Sequence, residues 1–200
     1  MRPDDGAPSG PKPGTMIVVV GPSGAGKDTL IDAAAIRFRD CADIGFVRRV
    51  ITRAPDAGGE AHDCMTEPEF SRCATAGRFA VWWSAHGLSY GIPAATRAEI
   101  GRGRTLVANG SRSALGQFRR AYPRVAVVLV TATPEELARR LAGRGRETEA
   151  DIRARLTRSI PAESLGSDVH VVDNSGALEP ACVRFAEILR EISGIRGIPG

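Results

Sequence analysis

The amino-acid sequence predicts a three-layer α/β fold, a mostly parallel sheet between helices, and three observations carry that expectation. Met16 to Val20 is a short, continuous apolar run rich in β-branched residues, the pattern of a strand buried on both faces. Gly21, Gly24 and Gly26 follow at once and lead into apolar residues at helical spacing, Leu30, Ile31, Ala34, Ala35 and Phe38. Strand-like and helix-like segments then alternate, with no internal repeat and no linker to a second domain.

The first strand, loop and helix form an anion site, because unpaired amides and the positive end of a helix dipole converge there. Gly21-x-x-x-x-Gly26-Lys27 is a P-loop motif in the strand-to-helix context that the motif requires. Gly21, Pro22, Ser23, Gly24, Ala25, Gly26, Lys27, Asp28 and Thr29 are therefore the candidate binding residues for a nucleotide, with the Lys27 ammonium reaching its β- and γ-phosphates. Composition sharpens the assignment: of 27 Lys and Arg residues only Lys12 and Lys27 are lysine. A compact ammonium fits inside a phosphate-wrapping loop where a planar guanidinium does not. The residue after the lysine is Asp28 instead of the usual Ser or Thr, and Thr29 is next. Both are hard oxygen donors, and either is a candidate contact for Mg²⁺.

After the first helix, Phe46 to Arg53 has the β-branched content of one strand ending in a functional loop, with Arg48, Arg49 and Arg53 beside the bend. Charges on an apolar strand need a partner, and a bound anion supplies one. Pro55, Gly58 and Gly59 predict irregular chain through Glu60, His62 and Asp63. Thr66-Glu-Pro-Glu69 is a capping box with proline just inside a helix running to about Ala76. Phe79 to Trp83 reads as a strand, and His86 to Pro93 as a turn rich in hydrogen-bonding groups, His86 and Tyr90 among them.

A helix over Ala94 to Ile100, a strand over Thr105 to Asn109 and a helix over Ser113 to Tyr122 follow, with Asn109-Gly-Ser-Arg112 between the last two. Val125 to Val130 is a buried strand, and Thr133-Pro-Glu-Glu136 opens a helix with an N-cap, a proline and two acids. Arginines alternating with glycines from Arg139 to Thr148, including Arg144 and Arg146, predict a mobile flap that closes over phosphates. A helix over Glu149 to Ser159, a strand over Val169 to Val172 and a closing helix striped by Cys182, Phe185, Ile188, Leu189 and Ile192 complete the domain.

The totals bound the function. A chain of 200 residues with 42% hydrophobic content suits one α/β domain, expected over residues 15–193 between a disordered leader, 1–14, and a frayed tail, 194–200. The leader lacks the apolar core of a signal peptide and no run is long enough to cross a bilayer, so a cytoplasmic protein is expected. Cys41, Cys64, Cys73 and Cys182 show no metal-ligand spacing and read as buried free thiols. The net charge of +4 comes from dispersed arginines with only 5% aromatics, which favours anionic small molecules over nucleic acid.

Thr52 to Pro55, Trp82 to Gly91 and Ala138 to Leu156 resemble the guanylate-kinase branch of the nucleoside monophosphate kinases. Within it, Gly21 to Leu30 with its Asp28, Phe46 to Arg53, Gly58 to Asp63, Ala85 to Pro93 and Val107 to Arg112 are most similar to the ribose 1,5-bisphosphate phosphokinases. That resemblance implies ATP-dependent conversion of ribose 1,5-bisphosphate to 5-phospho-α-D-ribose 1-diphosphate, in bacterial phosphonate breakdown. Guanylate kinases read guanine with a Glu where this chain has Val81; Asp56 stands near the place of a phosphate-gripping arginine; Val107, Ala108 and Asn109 replace an expected acid. Losing groups that read a substrate edge costs orders of magnitude in discrimination, so a guanine acceptor is disfavoured.

The roles that follow are these. Arg49 and Arg53 hold the acceptor's phosphates; Glu60, His62 or Asp63 orders the sugar or the metal's waters; Tyr90, Asn109 and Arg112 serve the acceptor side. Arg144 and Arg146 neutralise the transferring group, with Lys27 as the third catalytic residue. A nucleoside monophosphate kinase and an inactive binding module on the same scaffold are the alternative readings.

Overall fold

The computed structural model of the chain describes residues 12–53, 62–142, 165–166 and 168–195. In chain order its elements begin with β1 (Met16–Val20), α1 (Lys27–Arg37), β2 (Ile44–Phe46), β3 (Val50–Ile51), β4 (Asp63–Cys64), α2 (Glu67–Thr75), β5 (Phe79–Ala85) and β6 (Leu88–Pro93). They continue with α3 (Thr96–Gly101), β7 (Thr105–Asn109), α4 (Leu115–Ala121), β8 (Val125–Thr131), α5 (Pro134–Ala142), β9 (Val169–Asp173) and α6 (Leu178–Ser193).

The main sheet has the order β2-β7-β1-β8-β9 with every pairing parallel. β1 is its centre, paired on both edges, and all five of its residues are inaccessible to solvent. Because side chains alternate along a strand, β1 feeds two cores. Ile17 and Val19 pack with Leu30, Ala34 and Phe38 from the first helix and with Phe185, Ile188 and Leu189 of α6. Met16, Val18 and Val20 face Ile100, Leu115, Phe118 and Tyr122 on the other side. Each such aliphatic side chain contributes about 1.5–3 kcal/mol by leaving water, so the three-layer arrangement is anchored where the glycine loop begins.

A second sheet, with order β4-β3-β6-β5, was not legible in the sequence. It joins the α3/α4 side of the molecule through Val81, Trp83 and Ile92. The expected single strand over Phe46 to Arg53 is in fact two: β2 lies in the main sheet and β3 in the second. Arg48 and Arg49 sit at the crossing, where charges that could not continue into the main sheet's interior leave it. The expected turn from His86 to Pro93 is also corrected. Only His86 and Gly87 turn, at φ 52° and 71°, the two positive values of a tight hairpin. Leu88–Pro93 is a strand, antiparallel to β5 from Ala85↔Leu88 to Phe79↔Pro93.

The helix expected from Ser113 starts with a 3-10 turn, Arg112–Ala114, before α4. The capping box is formed: Glu69 Oε2 accepts the Thr66 N–H at 2.9 Å and the Thr66 hydroxyl at 2.6 Å. Those two donors hold the Glu69 carboxyl below its ordinary pKa. The four thiols are free, but they are not buried as expected; Cys64 is exposed and the others half-buried. Among the described residues no helix is long and apolar enough to cross a membrane. Arg139 to Ala142, expected as the start of the flap, is the last turn of α5; the rest of the flap and the helix expected over Glu149 to Ser159 lie outside the described residues.

Candidate active site

The loop after β1 opens at the C-terminal edge of the parallel sheet, where β1 is flanked by β7 and β8, a position at which open α/β sheets bind ligands. Two of its glycines are required by close approach. Gly21 has φ 152°, and a β-carbon there would run into the Val130 carbonyl oxygen of β8. Gly26 caps α1 at φ 89°, and a β-carbon there would run into the Asn174 side-chain amide. Lys27 Nζ donates to the carbonyls of Gly21 at 2.9 Å and Pro22 at 3.0 Å, which keeps the ammonium inside the curve of its own loop.

The loop is braced from behind by residues far away in sequence. Asn174, 2% exposed just after β9, donates from Nδ2 to the Ala25 carbonyl at 2.8 Å. Arg140 of α5 donates to the Asn174 carbonyl at 2.8 Å and reaches the Gly24 and Ala25 carbonyls at 3.4 and 3.5 Å. A planar trans peptide points its N–H opposite to its carbonyl, so tying back the Ala25 carbonyl turns the Gly26 N–H away from the brace. Glu136 completes the group, accepting from Arg140 Nε at 2.6 Å and from Arg139 at 2.7 and 2.8 Å. The hydrogen bond from Arg139 is the largest cause, with Arg140 next among those that lower it, of a Glu136 carboxyl pulled from 4.5 to about 2. Its folded pKa lies below its unfolded one, so its stabilisation is complete above pH 4.5 and is lost as pH falls through about 2. Thermal melts should therefore place Glu136→Gln below the wild type at neutral pH, with the gap closing across that window; a gap independent of pH would contradict the assignment.

A cleft of about 860 Å³ joins this loop to the second sheet. Gly21, Pro22, Ser23, Gly24, Gly26 and Lys27 line one side together with Asp28 and Thr29, whereas Ala25 is buried behind them. Arg49 and Arg53, flanking β3, line the facing side with Tyr90 of β6. Asn109, Arg112 and His86 also reach the wall. Asn109 Nδ2 donates to Asp28 Oδ1 at 2.5 Å, which fixes the orientation of that carboxylate. Burial first, and then the charge of Asp28, raise the pKa of Asp32 one helical turn on. Arg53 Nε is buried with no hydrogen-bond partner among the described residues. Of the described lining residues, four cations, Lys27, Arg49, Arg53 and Arg112, face a single carboxylate, Asp28.

Other expected site residues are placed elsewhere. His62 is buried but does not line the cleft, and its carbonyl accepts from Arg48 at 3.1 Å. Asp63 pairs with Arg48 at 2.6 Å with both side chains more than half exposed, a surface contact of little energetic weight. Glu60, Arg144 and Arg146 lie outside the described residues. The sequence reading missed Trp83, Glu136, Arg140 and Asn174. The available signals were the Glu136 to Arg140 spacing of one helical turn and the position of Asn174 at the C-terminal end of a parallel strand.

No cluster of three or more His, Cys, Asp or Glu side chains arranged for a metal exists among the described residues. The donor set beside Lys27 fits a cation held chiefly by phosphates, as Mg²⁺ commonly is: a half-buried Asp28 carboxylate and the exposed Thr29 hydroxyl.

A glycine loop with its lysine at the edge of a parallel sheet, facing a basic wall across one cleft, defines a phosphotransferase of the P-loop kinase class. Residues 13–192 match the family model described as guanylate kinase. A protein described as ribose 1,5-bisphosphate phosphokinase PhnN from Agrobacterium fabrum is 52% identical over 90% of this chain and 98% of its own length. Another of that description, from Rhizobium etli, is 51% identical over 90% of this chain and 92% of its own. The chain belongs to the guanylate kinase family and, within it, to the ribose 1,5-bisphosphate phosphokinases. Among solved structures, guanylate kinase from Anaplasma phagocytophilum matches with TM-score 0.69 over 93% of this chain and 89% of its own; at 18% identity that likeness shows the fold.

Proposed function

We propose that this protein transfers the γ-phosphoryl group of ATP to the 1-phosphate of ribose 1,5-bisphosphate, giving 5-phospho-α-D-ribose 1-diphosphate and ADP. A 1-phosphate oxygen attacks the γ-phosphorus, a new P–O–P bond forms, and the β–γ bridging bond breaks with its electrons leaving on ADP. The attacking oxygen is already ionised at neutral pH, so no general base is needed. The obstacle is repulsion between two polyanions, and the observation that carries the reading is the charge of the described lining residues: four cations against one carboxylate.

The loop amides and Lys27 hold the donor's phosphates, while Arg49 and Arg53 hold the acceptor's. Arg112, Asn109 and Tyr90 stand on the acceptor side. Arg144 and Arg146 offset charge on the group in transit. Bound Mg²⁺ would withdraw charge from the donor phosphates; Asp28, oriented by Asn109, is the ligand that would hold it, with Thr29 beside it. Glu60 orders the sugar hydroxyls, and His62 and Asp63 support that segment from outside the cleft. A cytoplasmic enzyme acting on small molecules is the reading that ATP and sugar phosphates as substrates support.

The test is an acceptor panel under ATP and Mg²⁺, followed by ³¹P NMR. Ribose 1,5-bisphosphate should be turned over at least ~100-fold more efficiently than GMP or AMP, the scale set by a site lacking polar groups for a base. GMP phosphorylated as well as the sugar would return the enzyme to the nucleotide kinases.

A further inference from the structure

The packing around Arg49 assigns it more than a charge. Trp83 of β5 and Tyr90 of β6 are direct cross-strand partners. Their rings stack with centroids 5.4 Å apart and planes 8° from parallel, forming one aromatic shelf. Arg49 lays its guanidinium carbon over that shelf, 5.0 Å from the Tyr90 centroid and 5.7 Å from that of Trp83. All three residues line the cleft that holds Lys27, and Arg49 itself is 8% exposed. A planar base binds a protein by stacking on such a face. Here a planar cation covers it, held there by the ring quadrupoles.

We propose that Arg49, seated over the Trp83–Tyr90 shelf, sets the acceptor class: it occupies the surface on which a nucleobase would stack and presents positive charge to a compact sugar phosphate. The inference rests on the preceding reading of this half of the cleft as the acceptor side. Arg49 is then a specificity-determining residue that touches substrate, and Trp83 and Tyr90 are positioning residues acting through it. A lysine could supply the charge at this place but not the plane.

Calorimetric titration of the full chain with ribose 1,5-bisphosphate and with GMP tests this in the wild type, Arg49→Lys and Arg49→Met. The wild type should bind the bisphosphate and reject GMP. Arg49→Met should bind the bisphosphate at least ~10-fold more weakly and admit GMP, moving the affinity ratio by ~100-fold, with Arg49→Lys between. Equal loss for both ligands, or an unchanged ratio in a variant whose circular dichroism is native, would overturn the proposal. Should Arg49→Met not fold, Arg49→Lys decides by the same ratio. Tyr90→Leu should raise the acceptor KM ~10-fold with kcat little changed, and Tyr90→Phe, which keeps the ring, should recover most of that loss. Equal damage from both Tyr90 variants would put the hydroxyl in place of the shelf and end the argument. If wild-type protein fails to turn over ribose 1,5-bisphosphate while Arg49→Met still admits GMP, the proposed activity falls and the role of Arg49 stands.

Discussion

Lys27→Ala is expected to lower kcat by at least ~10³-fold while the melting temperature moves by no more than about 2 °C. The two effects separate because the ammonium serves the reaction and the fold differently. In the fold it bonds to the Gly21 and Pro22 carbonyls, at 2.9 and 3.0 Å on the cleft wall, where water can replace it. The loop is meanwhile kept in shape from the opposite side by Asn174 and Arg140, which bond the Ala25 carbonyl and each other. In the reaction the same ammonium is the one lysine available where donor phosphates meet the loop, and charge developing on the transferring oxygens has no substitute donor of that size. Steady-state assays beside a thermal melt check the pair of outcomes. A variant that keeps a tenth of wild-type turnover would show that the loop is not the donor site.

The second large effect is expected at Asp28. Asp28→Asn preserves the side chain's size but removes its negative charge, and should raise the Mg²⁺ concentration for half-maximal activity by about 10–100-fold. Asn109 explains why this carboxylate can act as a ligand. By donating to Oδ1 at 2.5 Å it pins one oxygen and leaves Oδ2 for the cation. Mn²⁺ titration followed by electron paramagnetic resonance, in the presence of a non-hydrolysable ATP analogue, reads the same affinity without turnover. Thr29→Ala provides the contrast, since its side chain is the more exposed of the pair. If Thr29→Ala weakens Mn²⁺ binding and Asp28→Asn does not, the metal contact moves to Thr29.

Both predictions rest on residues whose chemistry could be read in sequence, which marks the limit of what local pattern contains. β1, the glycine loop and α1 were legible because their signals are contiguous: a run of apolar β-branched residues, required glycines and a lysine at fixed spacing. The α2 capping box was legible for the same reason, since Thr66 and Glu69 are three residues apart. The second sheet was not. β3 and β4 are two residues long and exist only by pairing with each other and with β6, so no periodicity announces them. The hairpin at His86 was mistaken for a longer turn because hydrogen-bonding side chains at Ser89 and Tyr90 mask the alternation that burial imposes on β6.

By itself, then, the amino-acid sequence determined the strand, glycine loop and lysine of a P-loop over Met16 to Lys27, and that arginines supply most of the remaining positive charge. Those are properties of neighbouring residues and of composition. Tertiary structure alone decided which arginines face the loop, that Arg49 lies on a ring pair built by two strands, and that Asn174 holds Ala25 across 149 residues of chain. Long-range contacts form when separate elements pack on shared apolar faces, and that packing, not spacing along the chain, brings their polar side chains together.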